Sequence, residues 1–198
     1  MTSRYRYDRL AACYDSVMRP LDRWFLERMR QKAISLLPIN ARLLEIGAGT
    51  GINFRLYSSL HTGAAVEPSW DMLQVAQSKT KPAGIGLVQS CAEELPFANG
   101  SFDTAFATLV LCSVESPQRT LSELRRVVKT GGLIVLLEHV RPGGLLGPLF
   151  DLFNFLSVPL LDDHVNRRTA NEARAVGLLL VQVEKRLWGI MNLIVCRV

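Results

Sequence analysis

Five short, largely apolar runs separated by segments of helical character constrain this chain more than any other feature of its sequence. They are ARLLEIG (41 to 47), AAVEP (64 to 68), GLVQS (86 to 90), FDTAFATLVL (102 to 111) and GGLIVLLEHV (131 to 140). A strand that lacks apolar/polar alternation must be covered on both faces, and a parallel sheet between two helical layers provides that cover. Helix candidates at 51 to 60, 69 to 79 and 117 to 129 fall between the runs, the last with Pro117 in its first turn, where proline is tolerated. Ahead of them Leu21, Phe25, Met29, Ala33 and Leu36 recur at helical spacing, Arg23, Glu27 and Arg30 fall off that face, and Pro38 closes the pattern. This predicts an amphipathic helix over 21 to 37. Two β-rich runs, 180 to 188 and 190 to 197, are separated only by Gly189 and predict a terminal antiparallel hairpin. The expected fold is α/β: a doubly wound, seven-stranded, mostly parallel sheet. The 198 residues are expected to form one domain over 1 to 198.

Composition places the chain among globular proteins. Hydrophobic residues make up 48% and charged residues 21%, which excludes disordered, collagen-like and disulfide-scaffold classes. The net charge of +5 is unevenly placed: residues 1 to 32 carry eight basic and four acidic side chains, residues 33 to 140 eight and nine, and residues 141 to 198 seven and five. Basic ends on a neutral middle suit either a solvated charged face or peripheral contact with an anionic membrane. Phosphate attraction alone does not indicate nucleic acid, and no nucleic-acid partner is expected. Cys13, Cys91, Cys112 and Cys196 lie far apart without metal-ligand spacing, so no metal site and no disulfide framework is expected. The start, MTSRYRYDRL, lacks the apolar core of a secretion signal. The most apolar stretch, 145 to 161, is broken by Pro148, Asp151, Asn154 and Pro159, too soon for a spanning helix. A cytoplasmic protein is the expectation.

The first strand runs into Glu45-Ile46-Gly47-Ala48-Gly49-Thr50-Gly51. Glycines let such a loop turn tightly and approach a ligand without a Cβ in the way. A dinucleotide fingerprint needs glycine at 52, which is Ile52. Glu45 is unwelcome beside a pyrophosphate but suits a ligand with an ammonium group or positive charge, which points to S-adenosylmethionine. Glu67, 20 residues after Gly47, stands where an acid accepts hydrogen bonds from ribose hydroxyls.

These motifs resemble those of the class I S-adenosylmethionine-dependent methyltransferases, which have a Rossmann-like fold. LEIGAGTG resembles their first motif, VEPSWDML the second and SCAEELPFANGSFD the third; TLVLCSV and LRRVVKTGGLIVLLEHV continue the likeness around the fourth and fifth strands. The resemblance implies a cofactor, S-adenosylmethionine, released as S-adenosylhomocysteine. It places Glu45, Gly47, Gly49, Gly51 and Asn53 with the methionine portion, Glu67 and Pro68 with the ribose, and Met72, Cys91, Ala92 and Glu93 around adenine, with Leu109 after the fourth strand. Cys91 stands where many relatives have Asp or Asn, and Thr130 where they have proline.

The acceptor is less determined. YDRLAACYDSVMRPLDRW resembles the N-terminal cap, about 1 to 37, of quinone-biosynthesis C-methyltransferases and bacterial phospholipid N-methyltransferases, which implies that Tyr7 and Tyr14 cover the cofactor, Tyr14 near the methyl donor. TLVLCSV, EHV and NRRT resemble alkyl thiol methyltransferases. All three groups act on lipophilic or membrane-held acceptors. An apolar insertion at about 141 to 170 fits: Leu149, Phe150, Leu152, Phe153, Phe155 and Leu156 form either a buried helix or the wall of a greasy pocket. His139, at the carboxyl end of the fifth strand, is a candidate catalytic base with Tyr14 beside it in role. Asn166, Arg167 and Arg168, with His139, are candidates for holding the acceptor, an arginine pair suiting a phosphate or carboxylate. The expected activity is methylation of a phosphatidylethanolamine amine, with alkyl thiols, quinone carbons or a catalytically silent cofactor-binding module as alternatives. His61 reads as a residue of a surface turn.

Overall fold

Seven strands pair into one sheet in the order β3-β2-β1-β4-β5-β7-β6. They are β1 (Arg42–Ile46), β2 (Thr62–Val66), β3 (Ile85–Val88), β4 (Phe102–Thr108), β5 (Val128–His139), β6 (Leu179–Arg186) and β7 (Met191–Arg197). The computed structural model describes residues 11, 14–16, 20, 22–142, 148, 152, 164 and 166–198. β1 to β5 pair in parallel, while β7 runs antiparallel to both β5 and β6. The expected doubly wound sheet with its terminal hairpin is the observed architecture.

Side chains alternate across each strand, so the central strands supply two cores at once. Leu44, Ile46, Ala105, Ala107, Ile134 and Leu136 pack on one face beneath α3 (Pro117–Val127) and α4 (Thr169–Ala175). Leu43, Phe106, Val135 and Leu137 pack on the other beneath α1 (Glu27–Ser35). α2 (Trp70–Gln77) completes the helices and starts at Ser69, whose hydroxyl accepts from the Met72 amide, a bond such caps contribute at about 1 kcal/mol. Neighbouring β1 and β4 send their chains away to opposite sides of the sheet, which opens a crevice at their carboxyl ends.

Several local expectations change. The helix expected at 51 to 60 is a single 3₁₀ turn, Phe54–Leu56, because Asn53, Phe54 and Tyr57 all turn inward. The helix expected at 21 to 37 opens as a π-helical turn, Asp22–Leu26, before α1. β4 ends at Thr108 because Leu109 adopts a left-handed conformation, φ 58°. α4 was not anticipated, although an alanine-rich run closed by Gly177, φ 83°, carries the usual signal of a helix end. His61 is buried rather than on the surface: Nε2 lies 3.0 Å from the Pro38 carbonyl and Nδ1 accepts from the Ser58 amide. Of the apolar insertion only Pro148 and Leu152 from the core stretch are described, both exposed; Leu149, Phe150, Phe153, Phe155 and Leu156 lie outside the described residues, as does Tyr7. No helix among the described residues is long and apolar enough to cross a membrane.

Candidate active site

The crevice at the carboxyl ends holds a cavity of about 600 Å³, a size typical of small-molecule sites. One wall is the glycine loop, with Gly47 and Gly49, held at φ 63° and 54°. Another is the end of β2, where Glu67 accepts from the Gly49 amide through Oε2 and from the Ser69 amide through Oε1, each at 3.0 Å. Pro68 and Met72 continue this wall, and Cys91, Ala92 and Glu93 form the next. Glu93 also accepts from the Glu115 amide at 2.9 Å and so ties this wall to the loop after β4. Leu109 and Val110 close the fourth side, and Tyr14 of the N-terminal segment reaches in from above. Next to it Asp15 accepts from the Thr50 hydroxyl at 2.5 Å and pairs with Lys79, which seats this segment on the glycine loop.

The family profile described as a methyltransferase domain matches residues 44–136. Over 186 residues the chain is 30% identical to a demethylmenaquinone methyltransferase of Renibacterium salmoninarum, covering 87% of this chain and 76% of that protein. The chain belongs to the S-adenosylmethionine-dependent methyltransferases. This methyltransferase is also 33% identical over 139 residues to a phosphatidylethanolamine N-methyltransferase of Cereibacter sphaeroides, covering 63% of this chain and 68% of that one. It is 35% identical over 106 residues to a thiol S-methyltransferase of Mus musculus, over 51% of this chain and 43% of that protein, so it spans under half of that relative. The solved structure of an S-adenosylmethionine-dependent methyltransferase from Thermotoga maritima shares the fold, with a TM-score of 0.74 over 98% of this chain and 99% of that one at 22% identity.

The residues of the methyltransferase cavity fit its cofactor. An added Cβ at Gly49 would meet no atom within 4 Å, so the loop faces open space where a ligand can lie against backbone. Glu67 stands on the wall with a carboxylate for hydroxyl groups, and Met72 and Ala92 offer apolar surface for a flat base. Tyr14, Gly47, Gly49, Glu67, Pro68, Met72, Cys91, Ala92, Glu93 and Leu109 line the cavity together. Glu45, Gly51 and Asn53 are not among the lining residues. His139 is also not among them: it ends β5 next to Glu138, whose buried carboxylate accepts from the Val110 and Leu111 amides at 3.0 and 3.2 Å. Asn166, Arg167 and Arg168 gather instead around a second, more open cavity of about 540 Å³ with Arg141, Gln118 and Asn171.

A buried polar network supports the glycine loop. The Asn53 amide donates to Glu45 at 2.6 Å and to the Thr108 hydroxyl at 3.1 Å, and the Tyr57 hydroxyl donates to the other Glu45 oxygen. Arg30 donates to Asn53 at 3.1 Å and to Thr108 at 2.7 Å. Helical spacing of the apolar residues puts Arg30 off their face, yet it is only 4% exposed. Its spacing to Ala33, Ile34 and Leu37 is the signal that puts it inward. Burial also holds the Tyr14 hydroxyl above its ordinary pKa, with Arg30 opposing, so it stays a neutral hydroxyl near neutral pH.

Burial pushes Glu45 up from 4.5 to about 7 against the opposing effects of Asn53, Tyr57 and Arg30. The unfolded chain therefore releases this proton first. The stabilising contribution is full below about pH 4.5 and is lost as the pH rises through about 7. The loss is on the order of 3 kcal/mol. Urea denaturation at pH 5, 6.5 and 8 is expected to show this decline in the wild type and a flatter course in Glu45→Gln; parallel courses would count against it.

Proposed function

We propose that this methyltransferase acts on the amine head group of a membrane-held phospholipid of the phosphatidylethanolamine type. The observation that carries the reading is the cationic pocket next to the cofactor cavity. Arg141, Arg167 and Arg168 converge there with Asn166, Asn171 and Gln118 against a single acid, Glu172. Arg167 donates to the Val114 carbonyl at 3.0 Å, and Val114 also lines the cofactor cavity, so the two sites share a wall. An acceptor carrying an amine and a phosphate a short distance apart uses both. The similarity to a phosphatidylethanolamine N-methyltransferase over two thirds of that protein's length supports the same class.

S-adenosylmethionine, when bound, supplies an electrophilic methyl group on a sulfonium. The chain's task is to align a nucleophile with it, exclude water and leave the nucleophile unprotonated. In this reading the arginine pocket fixes the head-group phosphate, Tyr14 closes the cavity and orients the amine through its neutral hydroxyl, and His139 takes up the proton that the amine releases as the N–C bond forms. His139 lines neither cavity, so this role rests on its place at the carboxyl end of β5.

Transfer of labelled methyl into phosphatidylethanolamine vesicles, with alkyl thiols and demethylated quinones run beside them, tests the acceptor. Label in the aminophospholipid is the expected result; label confined to thiols or quinones overturns the reading. Arg168→Glu, which leaves the Val114 contact alone, is expected to raise the lipid KM about tenfold, roughly the 1.4 kcal/mol of one charge-assisted hydrogen bond, with cofactor affinity unchanged. An unaltered KM removes the arginine pocket from substrate binding.

A further inference from the structure

Trp24 and Trp188 are 89% and 85% exposed, more than any other large apolar residue among those described. Each would stand in water at a cost that globular surfaces avoid for tryptophan, whose ring suits a membrane interface. They are far apart in sequence but lie toward the same end of the sheet. Lys32 of α1 pairs with Glu184 of β6, which fixes the height of the two elements against each other. Counting back from Lys32 to Trp24 climbs about 12 Å at helical rise, and from Glu184 the strand climbs about 7 Å to its end at Arg186, with Trp188 in the turn beyond it. Both climbs lead to the carboxyl end of the sheet, because β6 runs parallel to β5 and α1 leads back to the start of β1. The cofactor cavity opens at that end.

The β6–β7 turn adds a second observation. Leu187 and Trp188 both take left-handed conformations, φ 48° and 54°, followed by Gly189 at φ 87°. An Asn-Gly pair makes such a hairpin without strain; here a leucine and a tryptophan bear the strain and point outward, 48% and 85% exposed. Exposed Arg28, Lys185 and Arg186 flank the two tips, Arg186 paired with Glu184 at 2.7 Å. Apolar tips ringed by cations match an anionic bilayer, where the rings enter the interface and the cations meet lipid phosphates.

We infer that Trp24 and the Leu187–Trp188 turn form a membrane-docking edge that sets the cavity mouth against an anionic phospholipid surface. This rests on the reading that the acceptor is membrane-held, and it names the surface that brings the enzyme there. The sequence has three tryptophans, so variants retaining only Trp24 or only Trp188, with Trp70→Phe in both, report each position separately. Vesicles of equal parts phosphatidylglycerol and acyl-brominated phosphatidylcholine are expected to quench both emissions. Leu187→Ser with Trp188→Ser is expected to lower vesicle partition about tenfold or more, while affinity for S-adenosylhomocysteine stays at the wild-type value. Unquenched tryptophans, or wild-type partition by the double variant, overturn the docking edge even if the enzyme binds vesicles. A wild type that ignores vesicles overturns the edge as well. Quenching without methyl transfer to lipid upholds the edge and instead defeats the acceptor assignment.

Discussion

Gly49→Ala is expected to fold and to lose its cofactor. The added Cβ meets nothing within 4 Å, so the native structure accommodates it sterically. The residue's φ of 54° adds a left-handed penalty of about 1 kcal/mol. In the proposed placement of the cofactor the methyl group projects into the space of its methionine portion, and the Gly49 amide is the donor that holds Glu67 at 3.0 Å. A displaced loop would therefore disturb the methionine and ribose contacts of that placement. The expected loss of affinity for S-adenosylhomocysteine is about 100-fold or more, near 2.7 kcal/mol. Gly47→Ala is the contrasting case, because its Cβ would lie 2.3 and 2.9 Å from the two methyl carbons of Val110. Val110 is buried and its amide is fixed by Glu138, so the clash damages stability and binding together. Adding Val110→Ala is expected to recover stability in the Gly47→Ala background and to do nothing for Gly49→Ala. Calorimetric titration with S-adenosylhomocysteine beside urea denaturation separates the two effects. A Gly49→Ala protein that binds the ligand like the wild type would sink this account of the loop.

The difference between those two glycines was not legible in the sequence, where both are simply members of G-x-G-x-G. What was legible follows from periodicity. Strands buried on both faces leave an unbroken apolar signature, so the sheet, its parallel half and the closing hairpin could be read from runs of residues such as Leu43, Leu44 and Ile46. Ten of the proposed cofactor residues likewise meet around one cavity, because their motifs sit at strand ends that the fold draws together. Long-range polar pairing has no such periodicity. Nothing near Asn53 announces that it bonds Glu45, Thr108 and Arg30 at once, and those bonds are what replace the expected helix at 51 to 60 with a turn. His61 was misplaced for the same reason: its partner is a carbonyl 23 residues away. The second cavity was half visible, since Arg167 and Arg168 are adjacent in sequence, but Arg141 and Gln118 join them only in three dimensions.

Arg30→Met is expected to destabilise the fold by about 3 kcal/mol or more at pH 8 and by distinctly less at pH 5. Methionine keeps the aliphatic stem and removes the guanidinium, which takes the Arg30 donor from Asn53 Oδ1 and leaves Thr108 Oγ1 with the Asn53 amide alone of its two donors. Breaking a buried charged network from one side typically costs 3–5 kcal/mol. The pH dependence comes from Glu45. Arg30 is the cation that opposes the upward push of burial on this carboxyl, which titrates at about 7. At pH 8 Glu45 is ionised, and the variant leaves a buried negative charge with no cation to offset it. At pH 5 Glu45 is protonated, so only the hydrogen bonds are lost. Removing Arg30 must also raise Glu45 further, which extends the decline in stability to higher pH than in the wild type. Because Thr108 precedes Leu109 on the cavity wall and Asn53 follows the glycine loop, cofactor affinity should fall with it, by about tenfold. Arg30→Lys should restore the charge effect better than the hydrogen bonds, since both bonds come from Nη1, one bond farther along the side chain than a lysine ammonium reaches. Equal losses at pH 5 and pH 8 would reduce Arg30 to a packing residue and detach the N-terminal helix from the electrostatics of the cofactor loop.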